Sequence, residues 1–214
     1  MKKRISILTT ALLISPLTGT AAPEQGDAKC SVVPKVPIEV YAFNLADVRL
    51  MDGPFKKAMH IDAKYLLELK PDRFLSRFRE YAGLKPKGKV YGGWEGRGLS
   101  GHTLGHYISA CSMMYAASGD KRFADRVNYI VDELAECQKA HGNGYVGGVP
   151  EAKKLFAEVA AGKIKTKRFD LNGGWVPWYN LHKLYAGLVD AHRYCDSDKA
   201  KTIVIAMTDW ADGV

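Results

Sequence analysis

The sequence is poor in the signatures that announce most chemistries. It holds four cysteines in 214 residues, Cys30, Cys111, Cys137 and Cys195. None are spaced as Cys-x-x-Cys, which excludes a sequence-legible zinc ribbon or dithiol redox motif. No glycine-rich phosphate loop, serine nucleophile elbow or Cys–His dyad is present. No apolar run is long enough to cross a bilayer as a helix. The formal charge is +8, yet the basic residues are scattered along helical faces. Their densest cluster, Lys163 to Arg168, has no stacking aromatics inside it. That pattern describes a solvated surface and excludes a nucleic-acid footprint.

What is present begins with a leader. Met1-Lys2-Lys3-Arg4 is basic, Ile5 to Leu17 is apolar, and small residues follow to Ala22. This three-part pattern is that of a secretory signal peptide, cleaved after Ala21 because Pro23 disfavours the next bond. Its loss removes Lys2, Lys3 and Arg4 and lowers the charge from +8 to +5. The expected location is therefore secreted or periplasmic, where disulfides are permitted. Cys111 and Cys137 lie on adjacent expected helices and are expected as small buried residues, with pairing as the alternative. Residues 22–36 are expected to be a linker, and residues 37–214 the folded part. The hydrophobic fraction of 47% suits a soluble core.

Residues 37–51 are rich in Val, Ile, Tyr and Phe and predict one or two short strands. Helical periodicity takes over afterwards. Gly53-Pro54 sets a helix start, with Phe55, Ala58, Met59, Asp62, Leu66 and Leu69 on one face. Pro71 restarts a short helix. Leu99 to Ala117 and Lys121 to His141 form one helical hairpin, and Trp178 to Tyr194 with Lys199 to Asp212 form a second. A short helix, Glu151 to Ala160, lies between them. In each hairpin the first helix is the more apolar, which predicts an inner and an outer layer. The hairpins also repeat. Gly92-Gly93-Trp94 recurs as Gly173-Gly174-Trp175 after 81 residues, His102 as His182 after 80, and the turn residue Asp120 as Asp198 after 78. The expected fold is all-α: an incomplete α/α toroid, half of an α/α6 barrel, with a short N-terminal β segment. A closed toroid needs about twelve helices of ~10–20 residues, so the chain is expected to end before the barrel closes.

The loop and helix from Tyr91 to Tyr107 bring together the groups a sugar site needs. Trp94 offers a flat apolar face for sugar C–H groups, and Glu95 a carboxylate for hydroxyls. A second role for these two, Trp94 in the core and Glu95 capping a helix, fits the same residues. His102 and His106 stand at i and i+4 on one helix face. Thr103 follows His102 where a metalloprotease carries Glu, so a zinc protease is not expected. Trp178, Tyr179 and His182 form the corresponding cluster in the second repeat. The candidate substrate-binding set is thus His182, His102, Trp94, Glu95, Trp178, Tyr179 and His106. Glycoside hydrolysis usually needs two carboxyl groups flanking the bond. Only Glu95 lies in the aromatic loops, so no catalytic residue and no metal ligand is assigned within this chain.

Four stretches carry a resemblance: Phe43 to Phe55, Tyr91-Gly-Gly-Trp-Glu95, Gly101-His-Thr-Leu-Gly-His-Tyr107 and Trp175-Val-Pro-Trp-Tyr-Asn-Leu-His-Lys183. Together they resemble the β-L-arabinofuranosidases of glycoside hydrolase families 127 and 146, the second more closely. The resemblance implies an α/α6 barrel, and a retaining hydrolase that releases terminal β-L-arabinofuranose from plant oligosaccharides or polysaccharides. It also implies a zinc-bound cysteine nucleophile and a glutamate acid/base. Those positions are expected beyond this segment, so zinc is expected in the family enzyme but held by no residue of this chain. His182 matches a family histidine that contacts sugar. A non-catalytic glycan-binding protein, and a lyase or epimerase on a related toroid, remain the alternatives.

Overall fold

The computed structural model describes residues 35–36 and 39–214. The expected leader, and residues 22–34 of the expected linker, lie outside the described residues. The chain divides into two units, residues 1–42 and 43–214. In the first, the described residues are exposed and without regular structure.

The second unit is mostly helical, a partial α/α-type fold. A 3-10 turn at Leu45–Asp47 comes first, capped by the Asn44 side chain, which accepts from the Ala46 N–H. The short N-terminal β segment expected here is not formed at residues 39–51. The apolar residues Phe43, Val48 and Leu50 are exposed and pair with no neighbouring strand, which a lone strand would require.

Helix α1 (Pro54–Glu68) starts at the expected proline. It buries no residue fully, and Phe55 of its expected apolar face is 78% exposed. Only its C-terminal end is docked, where Leu66, Leu67 and Leu69 pack on the core. There the Arg126 guanidinium donates to the carbonyls of Leu66, Leu67 and Leu69, and the Tyr107 hydroxyl donates to Leu66 O at 2.7 Å. These side chains cap orphan carbonyls that the helix end leaves unpaired.

Helices α2 (Pro71–Phe74) and α3 (Ser76–Tyr81) follow. Then come two hairpins, α4 (His102–Ser118) with α5 (Lys121–His141), and α7 (Pro177–Cys195) with α8 (Asp198–Asp212). The short α6 (Ala152–Ala160) lies between them. Each outer helix is capped from its turn, by Asp120 accepting from Arg122 N–H and by Ser197 accepting from Ala200 N–H. The cap equivalent to Asp120 is therefore Ser197, with Asp198 opening the helix.

The two-layer expectation holds in the packing. The principal helix contact is between the inner helices α4 and α7, and the outer helices α5 and α8 pack on their partners and on each other. Glycine makes the inner contact close. A methyl group on Gly105 would lie 2.1 Å from Lys183 O, and one on Gly187 would lie 2.5 Å from Gly105 O. The backbones meet where any side chain would keep them apart. Around this crossing Leu104, Ile108, Leu184 and Leu188 are fully buried. Cys111 and Cys137 are also fully buried and unpaired.

A small antiparallel sheet precedes α7, in the order β1 (Thr166–Lys167), β2 (Asp170–Leu171), β3 (Gly174–Trp175). Its second turn is Asn172-Gly173, both at positive φ. This is the residue pair that a tight hairpin turn favours, so the turn was legible in the sequence as Asn-Gly.

Candidate functional site

The close crossing of α4 and α7 brings both repeats of the aromatic–histidine motif onto one surface. His102 is the first residue of α4, and Tyr179 and His182 lie in the first turns of α7. The His102 ring stacks on Tyr179 at 5.3 Å and 27°, and His102 Nε2 lies 3.2 Å from the Tyr179 hydroxyl, a hydrogen bond available in either tautomer. His106 packs edge-on against His102 at 4.8 Å. Tyr179 leads to His182 at 6.4 Å, and the Lys183 ammonium lies 4.9 Å from the Tyr179 ring centre.

On the other side, Trp94 stands edge-on to His102 at 6.4 Å and to Trp175 at 6.3 Å. The two Gly-Gly-Trp loops therefore meet through their tryptophans. The result is a continuous strip of rings: Trp175, Trp94, His102 with His106, Tyr179 and His182. Trp94 is 61% exposed, so it does not plug the core. The strip is an open surface. A cavity of about 440 Å³ lies between α1 and α4, lined by Met59, Tyr65, Leu66, Met113 and Met114.

Trp178 does not join the strip through its ring. It stands edge-on to Phe156 at 5.0 Å and tilted against Trp210 at 6.0 Å, in a second cluster that includes Tyr145. Tyr179 shares a face of α7 with His182 and Lys183, three and four residues on, whereas the Trp178 ring is held by Phe156 and Trp210. Trp175 takes the place beside Trp94 instead.

Glu95 is 5% exposed, beneath the strip rather than on it. Its Oε1 accepts from the Thr103 backbone N–H at 3.2 Å, so it caps α4 next to His102. Its Oε2 is buried with no hydrogen-bond partner. Burial raises its pKa above the usual glutamate value, against smaller opposing pulls from Thr103, Gly101 and Ser100. The Ser100 hydroxyl donates to Glu95 O at 2.7 Å, and Asn180 Nδ2 donates to Ser100 O at 2.7 Å. Asn180, next to Tyr179, is 2% exposed. This buried chain ties the loop before α4 to α7 and holds His102 opposite Tyr179. Asn180 was not singled out in the sequence, where a lone Asn inside an apolar helix was the available signal.

The His102 pKa is lowered, first by partial burial and then by His106 and Lys183. Near neutral pH its imidazole is uncharged, with one nitrogen to donate and one to accept. The strip thus offers flat apolar faces and neutral hydrogen-bonding groups side by side, the combination that binds sugar rings.

The chain matches the family described as Beta-L-arabinofuranosidase, GH127 catalytic domain, over residues 47–214. It belongs to this family. The match places it in the glycoside hydrolase class and makes a glycan the class of substrate. No curated protein matches the chain.

The zinc that the resemblance implies finds no donor set among the described residues. Among the described residues no group of three or more His, Cys, Asp or Glu is placed to hold a metal ion. Cys111 and Cys137 are fully buried, burial pushes their thiols up to about 11 and about 12, and neither stands in such a group. No step is assigned to zinc on these residues. No described helix is long and apolar enough to cross a membrane.

Proposed function

We propose that this chain forms the sugar-recognising wall of a secreted glycoside hydrolase that releases terminal β-L-arabinofuranose from plant glycans. The observation that carries this reading is the ring strip built from both repeats, Trp175–Trp94–His102–Tyr179–His182. In it Trp94 and Trp175 stack on the sugar, and His102, Tyr179 and His182 hydrogen-bond its hydroxyls. His106 orients His102 from one turn away, and Glu95 supports the same residue from below. Bond cleavage needs a nucleophile and an acid/base partner. We assign neither to the described residues, because the strip carries no exposed carboxylate and Cys111 and Cys137 are fully buried. Those groups, with the zinc, come from outside the described residues, and this segment alone is inactive.

The test is hydrolysis of a chromogenic β-L-arabinofuranoside by the intact protein, with release of the β anomer monitored by NMR. His102→Ala and His182→Ala each remove a hydrogen bond worth about 0.5–1.5 kcal/mol. They are expected to raise KM by roughly three- to tenfold. An intact protein inactive on every furanoside and pyranoside offered would overturn the reading. Oligosaccharide binding without turnover would favour a non-catalytic glycan-binding protein instead. Export is tested by N-terminal sequencing of the secreted product, expected to begin at Ala22.

A further inference from the structure

Beside the ring strip stands a cationic hairpin. Lys163, Lys165, Lys167 and Arg168 fall within six residues and are all exposed. None of the four forms an ion pair among the described residues. Ile164, between them, and Phe169, directly after Arg168, are 61% and 72% exposed. Asp170, the acidic residue in the hairpin, accepts from the Gly173 N–H at 3.0 Å.

The hairpin is held firmly against the strip. Lys167 pairs with Asp170, and Asp170 pairs with Trp175, so all three lie in register across the sheet. Adjacent strands are about 4.8 Å apart, which puts the Lys167 backbone roughly 10 Å from that of Trp175. Asn172 fixes the base. Its Nδ2 donates to Glu158 Oε2 and Lys163 O, and its Oδ1 accepts from the Lys165 N–H. The Phe169 carbonyl accepts from the Val176 N–H at 2.8 Å, next to Trp175. A merely solvated charge run needs no such bracing toward a binding surface.

We propose that this hairpin is a docking surface for a uronate-bearing glycan, whose carboxylates pair with Lys163, Lys165, Lys167 and Arg168 while a neutral side-branch sugar lies on the ring strip. The inference rests on the sugar-binding reading of that strip. Lysines serve as point charges that tolerate variable carboxylate positions, and Arg168 adds a planar fork for one of them. Phe169 supplies an apolar face for a sugar ring. Attraction of this kind is screened within about 8 Å at physiological ionic strength, so it weakens as salt rises.

The experiment uses the intact protein and a variant with Lys163→Gln, Lys165→Gln, Lys167→Gln and Arg168→Gln. Affinity electrophoresis is run in gels holding polygalacturonate, neutral arabinan, dextran sulfate or duplex DNA. The expected result is retardation of the wild type by polygalacturonate, lost in the variant and at high salt. Hydrolysis of a small neutral furanoside is expected to be unchanged in the variant, while KM on an acid-bearing glycan rises about tenfold. Absence of retardation by polygalacturonate overturns the proposal. So does equal retardation by dextran sulfate and DNA, which marks a general polyanion surface. The milder pair Lys163→Gln with Lys165→Gln, checked by circular dichroism, serves if the fourfold variant does not fold, and it is expected to lose part of the retardation. Failure of the wild type to cleave any furanoside bears on the hydrolase reading alone, because gel retardation is measured without turnover.

Discussion

Gly105→Ala is the sharpest perturbation of this architecture. The added methyl would lie 2.1 Å from Lys183 O, 2.3 Å from Lys183 C and 2.8 Å from Leu184 N. Ordinary contacts begin near 3.4 Å, so α4 and α7 must separate by about 1 Å or more. The obstacle is backbone, which cannot swing aside like a side chain. Overpacking of this kind costs about 1–3 kcal/mol, and more where relief is blocked. The better helix propensity of alanine returns about 1 kcal/mol. A net loss of about 2 kcal/mol follows, or roughly 4–8 °C in Tm for a unit of this size. The site should register the same movement. His102 lies three residues from Gly105, and its 3.2 Å contact with the Tyr179 hydroxyl has little slack before it breaks. Urea unfolding of the intact protein, followed by tryptophan fluorescence, measures the first effect, and the His102 imidazole NMR signals report the second. Gly92→Ala is the control, because a methyl there meets nothing within 4 Å. If Gly105→Ala raised Tm, as an exposed helical Gly→Ala does, the close crossing would be refuted.

Three further outcomes are expected. Glu95→Ala removes the α4 cap and should cost about 0.5–2 kcal/mol and disturb the His102 signals, whereas Glu95→Gln keeps an acceptor and should be nearly neutral. Because the Glu95 pKa is raised in the folded protein, its protonated form favours folding. That contribution is present below the ordinary glutamate pKa and fades as pH rises through the folded value, so the wild type should lose stability relative to Glu95→Gln over that window. His102 has the opposite sense: its lowered pKa means the folded state resists protonation. Stability is full above the ordinary histidine value near 6.5 and falls as pH drops from there to the folded value. A histidine NMR titration showing His102 charging at or above that value would contradict this. Arg79→Ala strands Glu133, whose side chain is 8% exposed. Breaking a buried pair costs about 3–5 kcal/mol, but Lys87 also holds Glu133, so urea unfolding should show about 2–3 kcal/mol.

Much of the helical framework could be read from sequence, because its determinants are local. Pro54 and Pro71 fix helix starts, Asp120 and Ser197 cap outer helices, and apolar spacing marks the inner faces. Where burial depended on partners, periodicity misled. The α1 face follows the helical period, yet Phe55 at its start stays exposed while Leu66 and Leu69 at its end pack on the core, and residues 39–51 have strand-forming composition but no strand to pair with. Of the candidate site, the residue types and the repeat were legible, and Trp94, His102, His106, Tyr179 and His182 lie on one strip.

The sequence by itself determined the two Gly-Gly-Trp and histidine motifs, the helical hairpins that carry them, and the family. Which of those side chains face each other was decided only in three dimensions. The Gly105–Gly187 crossing sets α4 and α7 close enough for His102 to reach Tyr179, and contacts with Phe156 and Trp210 hold Trp178 elsewhere. Burial then converts Glu95 from a surface carboxylate into an internal cap. The His102–Tyr179 contact and the Gly105–Gly187 crossing join residues some 80 positions apart in the chain, and no local pattern encodes such distances.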